Sequence, residues 1–215
     1  MAKVLVTGGA GFIGSTVVRK CLDSGHEVVV LDNFSSGSDN DFKDLETLGV
    51  KAIIGDIRDS ETVENAMQGC DVVVHLAAQS SVLYSIKNPQ DNDSINIEGT
   101  QIILDNCDQL NVKKIIVASS AAVYGQEDRL PLKEEHAGDL LSPYAESKWE
   151  NEQQIIASRL NGHNAVALRF FNVYGPGQKV DGGYAAVIPK FIDMMISGKA
   201  PTINGDGLHT RDFVH

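Results

Sequence analysis

Residues Ser142–Lys148, "SPYAESK", set a phenol and a primary amine four positions apart. Ser142 is a residue type that caps helix N-termini, and Pro143 suits the first helical position, where a missing N–H costs nothing. In a helix that starts there, Tyr144 and Lys148 are i and i+4 neighbours on one face. An ammonium beside a phenol favours its phenolate, a base able to take a hydroxyl proton. The spacing also suits a tyrosine packed on a lysine stem, so these seven residues alone leave both readings open.

A second cluster opens the chain. "VTGGAGFIGS" places Gly8, Gly11 and Gly14 where an apolar run gives way to a helical pattern. Gly8 permits a tight turn, Gly11 lets the backbone approach a pyrophosphate, and Gly14 lets helix and strand pack closely. The helix N-terminus, at Phe12 and Ile13, offers its N–H groups to phosphate. Asp32 closes the next apolar run at about the 20-residue distance expected of the acid that holds ribose hydroxyls. Its charge repels a 2′-phosphate, which favours NAD over NADP. Asn33 follows it in the same loop. Asp56, with Ile57 in "GDIRD", falls where an adenine edge would lie, or else caps a helix beginning near Ser60. Leu76, Ala77 and Ala78, in "HLAA", are small enough to let a flat ligand lie over them.

The elements that must hold these residues read from the apolar pattern. The runs "KVLVTG", "EVVVLD", "KAIIGD", "DVVVHLAA", "KKIIVASS" and "NAVALRFFNV" are nearly continuous rather than alternating, as strands buried on both faces should be. Helical patterns separate them, with Ile13, Val17 and Cys21 tracing one face of the first. Strands alternating with helices predict an α/β fold, a doubly wound parallel sheet of the Rossmann type with helices on both faces. The acidic stretch at Asp39, Asp41, Asp44 and Glu46 reads as a solvated helix face. After Asn172 the texture changes, with glycines and an apolar helix near Val187–Ile196. The expected division is a nucleotide-binding domain over 1–172 and part of a substrate-binding domain over 173–215.

The totals bound the class. With 215 residues, 42% hydrophobic and 22% charged, the chain has the composition of an ordinary globular protein. A formal net charge of −11 argues against nucleic acid or an anionic membrane as partner. Cys21, Cys70 and Cys107 suggest no disulfide framework, and neither they nor the histidines have metal-ligand spacing. No leader or membrane-length run is evident, so the cytoplasm is the expected compartment.

Taken together, Gly8-x-x-Gly11-x-x-Gly14, Asp32, Asp56, "HLAA", "SSAAVYG", Tyr144-x-x-x-Lys148 and "RFFNVYGPGQ" resemble the extended short-chain dehydrogenases/reductases of the nucleotide-sugar epimerase/dehydratase group. They run in order along the whole chain. The resemblance implies an NAD-dependent isomerase in which Tyr144 is the acid/base, Lys148 holds the nicotinamide ribose and Ser120 hydrogen-bonds the same sugar oxygen. It further implies Phe171 beside the nicotinamide, Asn172 and Arg211 on the nucleotide diphosphate, and a homodimer. Where dehydratases of the group carry Asp-Glu and decarboxylases a glutamate, this chain has Ala121 and Ala122, which cannot move a proton. The motifs are therefore most similar to the UDP-glucose 4-epimerases and their UDP-N-acetylglucosamine and UDP-glucuronate relatives, which work through a 4-keto intermediate. A plain sugar-nucleotide dehydrogenase and an NAD-binding protein without turnover are the alternatives. The chain stops within "RDFVH", a motif that continues in such relatives. The expectation is a folded cofactor site with an incomplete sugar-nucleotide site, either in a fragment or completed by a partner.

Overall fold

The apolar runs form strands, buried in the middle of the sheet and partly exposed at its two edges. In the computed structural model, which describes residues 1–35, 44–180 and 186–215, these are β1 (Lys3–Thr7), β2 (Glu27–Asp32), β3 (Lys51–Ile54), β4 (Val72–His75), β5 (Lys114–Ser120) and β6 (Asn164–Phe170). They lie side by side in the order β3-β2-β1-β4-β5-β6. The pairs β1–β2, β1–β4, β2–β3 and β4–β5 are all parallel. The chain moves outward from β1 to β3, then returns to the other side of β1 for β4. At that reversal the connections after β1 and β4 diverge and leave a crevice beyond the strands' carboxyl ends.

Alternate residues of β1 and β2 feed two separate cores. Leu5, Val29 and Leu31 face one side with Val63, Met67, Ile103 and Ile155. Val4, Val6, Val28 and Val30 face the other with Val18. The first core is covered by α2 (Ser60–Met67), α5 (Gly99–Gln109) and α6 (Pro143–Leu160), and the second by α1 (Phe12–Asp23). Between α2 and α5 run two short helices, α3 (Val82–Lys87) and α4 (Pro89–Asp93), and a π-helical turn at Ser94–Glu98. Asp59 caps α2 by accepting the N–H groups of Glu61 and Thr62. The capping role open to Asp56 is thus filled three residues later, which leaves Asp56 to the crevice side.

The chain divides into two compact units, Met1–Arg169 and Phe170–His215. In the second, β7 (Asn172–Val173) pairs in parallel with β8 (Phe213–Val214), and α7 (Val187–Ile196) carries the apolar stretch. "NAVALRFFNV" is therefore two strands with a break at Phe171, because its last residues pair with the distant Phe213–Val214 segment. Of the acidic stretch, Asp44 and Glu46 are exposed, while Asp39 and Asp41 fall outside the described residues. No described helix is long and apolar enough to cross a membrane.

A methyl group at Gly14 would meet the Gly8 carbonyl oxygen at 2.0 Å, against backbone that cannot yield. At Gly25 (φ +76°) it would meet nothing within 4 Å. Gly25→Ala should cost only the left-handed backbone penalty of about 1–2 kcal/mol, a few degrees of Tm. Gly14→Ala should lower Tm by a multiple of that in a thermal melt; equal shifts would refute the close packing of α1 on β1.

Candidate active site

The glycine loop leaves β1 at the reversal of the sheet. Gly8 adopts φ +70°, and a Cβ there would lie 2.7 Å from the Ala77 nitrogen at the end of β4. The two strand ends therefore touch through backbone. At Gly11 the situation differs: a Cβ would meet only the Gly8 carbonyl oxygen, at a tight but tolerable 3.2 Å. Packing within the chain thus demands Gly8 and Gly14 but barely demands Gly11, whose open face suits a close-approaching ligand. Gly11 is also the N-cap of α1, and no side chain caps that helix. The half-buried first turn, Phe12 and Ile13, accordingly presents N–H groups at the positive end of the helix dipole. This is the arrangement that holds a pyrophosphate.

Asp32, at the end of β2, is buried and accepts the Ala10 N–H (3.0 Å) and the Phe34 N–H (2.8 Å). It ties the glycine loop to the second strand, and its remaining lone pairs are free to accept hydroxyls. Asp56 accepts the Arg58 N–H and Nε on one oxygen, both at 2.9 Å. Its other oxygen accepts Arg58 Nη2 (2.8 Å) and Asn33 Nδ2 (3.2 Å). The Arg58 guanidinium holds this carboxyl at about 2, well below the usual range. Ile57 turns its side chain into the core, which leaves only its backbone for a ligand.

Beneath Leu76–Ala78 lies a buried polar chain that the motif reading missed. Thr100 donates to the Asn96 carbonyl (2.6 Å), so its oxygen accepts from His75 Nε2–H at 3.0 Å. That leaves His75 Nδ1 as the acceptor of the Thr7 hydroxyl (2.6 Å). The Thr7 oxygen in turn accepts the N–H groups of Leu76 (3.2 Å) and Ala77 (3.3 Å). Burial pushes His75 down to about 3, helped by the Lys148 charge, so the ring is neutral and its tautomer fixed. The chain pins the bend that faces Gly8.

Across the reversal stands α6. Ser142 caps it by accepting the Ala145 N–H (3.2 Å), and Pro143 occupies the first turn. The Tyr144 N–H donates to Ser85 Oγ of α3 (3.1 Å). Lys148 is 5% exposed, and its Nζ donates to the Ala118 carbonyl of β5 at 2.9 Å. Burial brings its pKa down to about 8. Ser120 accepts the Ala122 N–H (3.1 Å) and keeps its hydroxyl proton available on the Tyr144 side. Burial raises the Tyr144 phenol, and the Ser120 hydrogen bond opposes that rise. Lys148, whose Nζ is turned onto the Ala118 carbonyl, does not contribute the depression expected of it.

Sequence reasoning also passed over Glu152 and Arg169, which pair inside the fold with Nε and Nη2 of Arg169 each 2.8 Å from a carboxylate oxygen. The available signal was Glu152 one turn beyond Lys148 on the same helix face. Phe171, Asn172 and Arg211 belong to the second unit. There the Asn172 amide Nδ2 donates to the Asp212 carbonyl (2.8 Å), and Arg211 is exposed, with Nη1 on the Thr210 carbonyl (2.7 Å).

The model of the NAD-dependent epimerase/dehydratase family matches residues 4–215. A putative UDP-glucose 4-epimerase of Methanocaldococcus jannaschii is 41% identical, over 99% of this chain and 69% of its own. Among solved structures, the UDP-N-acetylglucosamine 4-epimerase of Methanobrevibacter ruminantium, in complex with UDP-N-acetylmuramic acid, superposes with a TM-score of 0.93 at 39% identity. That match covers 99% of this chain and 68% of the other. The UDP-glucose 4-epimerase of Thermus thermophilus, in complex with NAD, gives 0.85 at 37% identity, over 99% and 70%. With the glycine loop, the buried Tyr144–Lys148 helix and this breadth of similarity, the chain belongs to the NAD-dependent epimerase/dehydratase family.

Proposed function

We propose that the protein is an NAD-dependent isomerase that inverts C4 of a UDP-sugar, with UDP-glucose and UDP-galactose as the pair interconverted. The observation that carries this reading is the set of half-buried Ser120 and Tyr144 with buried Lys148, and alanines at 121 and 122 beside it. The set can move one proton at one hydroxyl, and the alanines supply no second acid or base for elimination. The similarity to UDP-glucose 4-epimerases supports the sugar nucleotide, and the Methanobrevibacter structure makes UDP-N-acetylglucosamine the second sugar to test.

NAD fits the crevice as the residues stand. Gly11 with the first turn of α1 takes the pyrophosphate, through Phe12, Ile13 and Gly14. Asp32 takes the adenosine ribose, Asn33, Asp56 and the Ile57 backbone the adenine side, and Leu76–Ala78 the far face. When bound there, NAD would supply the hydride acceptor and donor for the sugar carbon. Tyr144 takes the C4 hydroxyl proton as the carbon is oxidised and gives it back after the 4-keto sugar presents its other face. Ser120 donates to that oxygen throughout, and Lys148, poised between Ala118 and the ribose, holds its positive charge close to the phenol. Phe171 lines the nicotinamide, and Asn172 with Arg211 takes the diphosphate. The enzyme is a cytoplasmic homodimer in this reading, with the exposed Ile156 and Leu160 of α6 at the two-fold. Free thiols, two of them pushed up to about 11 (Cys70) and about 12 (Cys107) by burial, suit a reducing compartment.

Incubating the NAD-loaded protein with UDP-glucose should yield UDP-galactose without net NADH, and Tyr144→Phe should cut the rate by roughly 10²–10⁴ while leaving NAD bound. Accumulating NADH would mark a dehydrogenase instead. On cofactor-stripped protein, calorimetry should show Gly11→Ala weakening NAD at least ~10-fold with little change in Tm, because only the ligand needs that space. NADP should bind more weakly than NAD, and Asp32→Ala should narrow the gap; equal affinities in the wild type would remove Asp32 from the site. Lys148 titrates near pH 8 when folded and near 10.5 when unfolded, so its buried charge penalises the fold below pH 8 and the penalty fades as pH rises towards 10.5. In urea titrations Lys148→Met should therefore gain stability relative to wild type below pH 8 and lose that gain near pH 10; a pH-independent difference would place the ammonium in water.

A further inference from the structure

Successive residues at the end of β5 face α6 at partners one turn apart. Ser120 lies by Tyr144 and acts on its phenol, the Ala118 carbonyl accepts from Lys148 (2.9 Å), and Ser119 Oγ donates to Glu152 Oε1 (2.5 Å). The third rung is the one the proposed chemistry does not use, and it is the most heavily braced. Arg169 of β6 grips both oxygens of Glu152 at 2.8 Å, donates from Nη1 to the His136 carbonyl (2.8 Å), and lies over the Tyr124 ring at 4.6 Å. The two side chains are 12% and 11% exposed. Tyr124 ends the turn that begins at Ser120, and His136 belongs to the segment that leads to Ser142. One guanidinium thereby joins the helix of Tyr144 to the strand, the turn and the loop around Ser120.

We propose that the Arg169–Glu152 pair, with Ser119, is a positioning device that sets the register of α6 on β5 and so the placement of Tyr144 against Ser120. A buried ion pair is a poor source of net stability, since well-packed apolar side chains commonly do as well. What a planar bidentate pair supplies is a fixed distance and angle. The register matters because Ser120 is the group that opposes the burial-driven rise of the phenol. Arg169, Glu152 and Ser119 touch neither sugar nor cofactor in this scheme, which rests on the reading of Tyr144 as the acid/base.

The test compares Arg169→Lys, Glu152→Gln and Ser119→Ala, the last of which removes a single hydroxyl and should fold even if the others do not. Tyrosinate absorbance, taken as the difference between each protein and its Tyr144→Phe counterpart, reads the phenol directly and needs no turnover. The Tyr144 titration should move up by roughly one unit in each variant, as it does in a Ser120→Ala control. kcat should fall about 10–100-fold with KM and NAD affinity nearly unchanged. An unmoved Tyr144 titration in folded Ser119→Ala and Arg169→Lys overturns the proposal, whatever the rates. So does a loss of kcat that only follows falling Tm or NAD affinity, which is what plain structural support would give. A shifted titration in a protein that turns over no UDP-sugar upholds the positioning role and removes the epimerase reading instead.

Discussion

An ammonium buried away from water is the constraint around which the first unit is organised. Lys148 is 5% exposed and bonds a backbone carbonyl, and burial costs it enough charge stability to bring its pKa to about 8. Such a group persists only where the rest of the fold holds it in place. The first turn of α6 is fixed by Ser142, Pro143 and Ser85, so the helix cannot fray and release the side chain. His75, close enough for the Lys148 charge to act on it, is locked neutral between two threonines, because a second cation beside the first would be costly. The same threonine, Thr7, shapes the bend opposite Gly8. The Lys148 site and the bend opposite Gly8 are thus linked through His75 and Thr7.

Three acids in this unit show how environment divides one chemistry into separate tasks. Asp32 accepts two loop N–H groups and stays available to hydroxyls. Asp56 is held in place by Arg58 and Asn33, and the arginine keeps it ionised far into acid. Glu152 is enclosed and answers to one guanidinium and one serine. In the proposed scheme none of the three takes the sugar proton, and that task falls to the Tyr144 phenol.

The parts of this arrangement that were legible in the sequence are those written in local pattern. Continuous valine runs announce strands covered on both faces, and the glycine spacing, Ser142-Pro143 and the Tyr144/Lys148 interval are all read within one turn of helix or one loop. What escaped were contacts that join distant segments through ordinary residues. Thr7, His75 and Thr100 come from three elements and look unremarkable in each. Arg169 stands in an apolar strand, where its neighbours suggest a core position and its charge suggests an error of reading, until Glu152 is placed against it. Asp56 was ambiguous for a different reason: Asp59 is an equally good cap by type, and only geometry assigns the cap to it. The split of "NAVALRFFNV" into two strands was invisible because the partner of its second half, Phe213–Val214, lies at the far end of the chain.

The proton state of Tyr144 follows from competing effects whose sizes the fold controls separately. Burial acts on the whole side chain and raises the phenol; it grows as α6 is pressed more closely onto β5. Ser120 opposes that rise, and its oxygen also accepts the Ala122 N–H, so its effect depends on where Tyr144 stands against it. Tighter packing without correct register would therefore leave Tyr144 more fully protonated. Register without packing would leave Lys148 wet and its charge screened. A strand and a helix joined by bonds from two successive residues, Ala118 and Ser119, the second braced from a neighbouring strand, satisfies both conditions at once, and that is the reason to find a buried ion pair where apolar side chains would have packed as well.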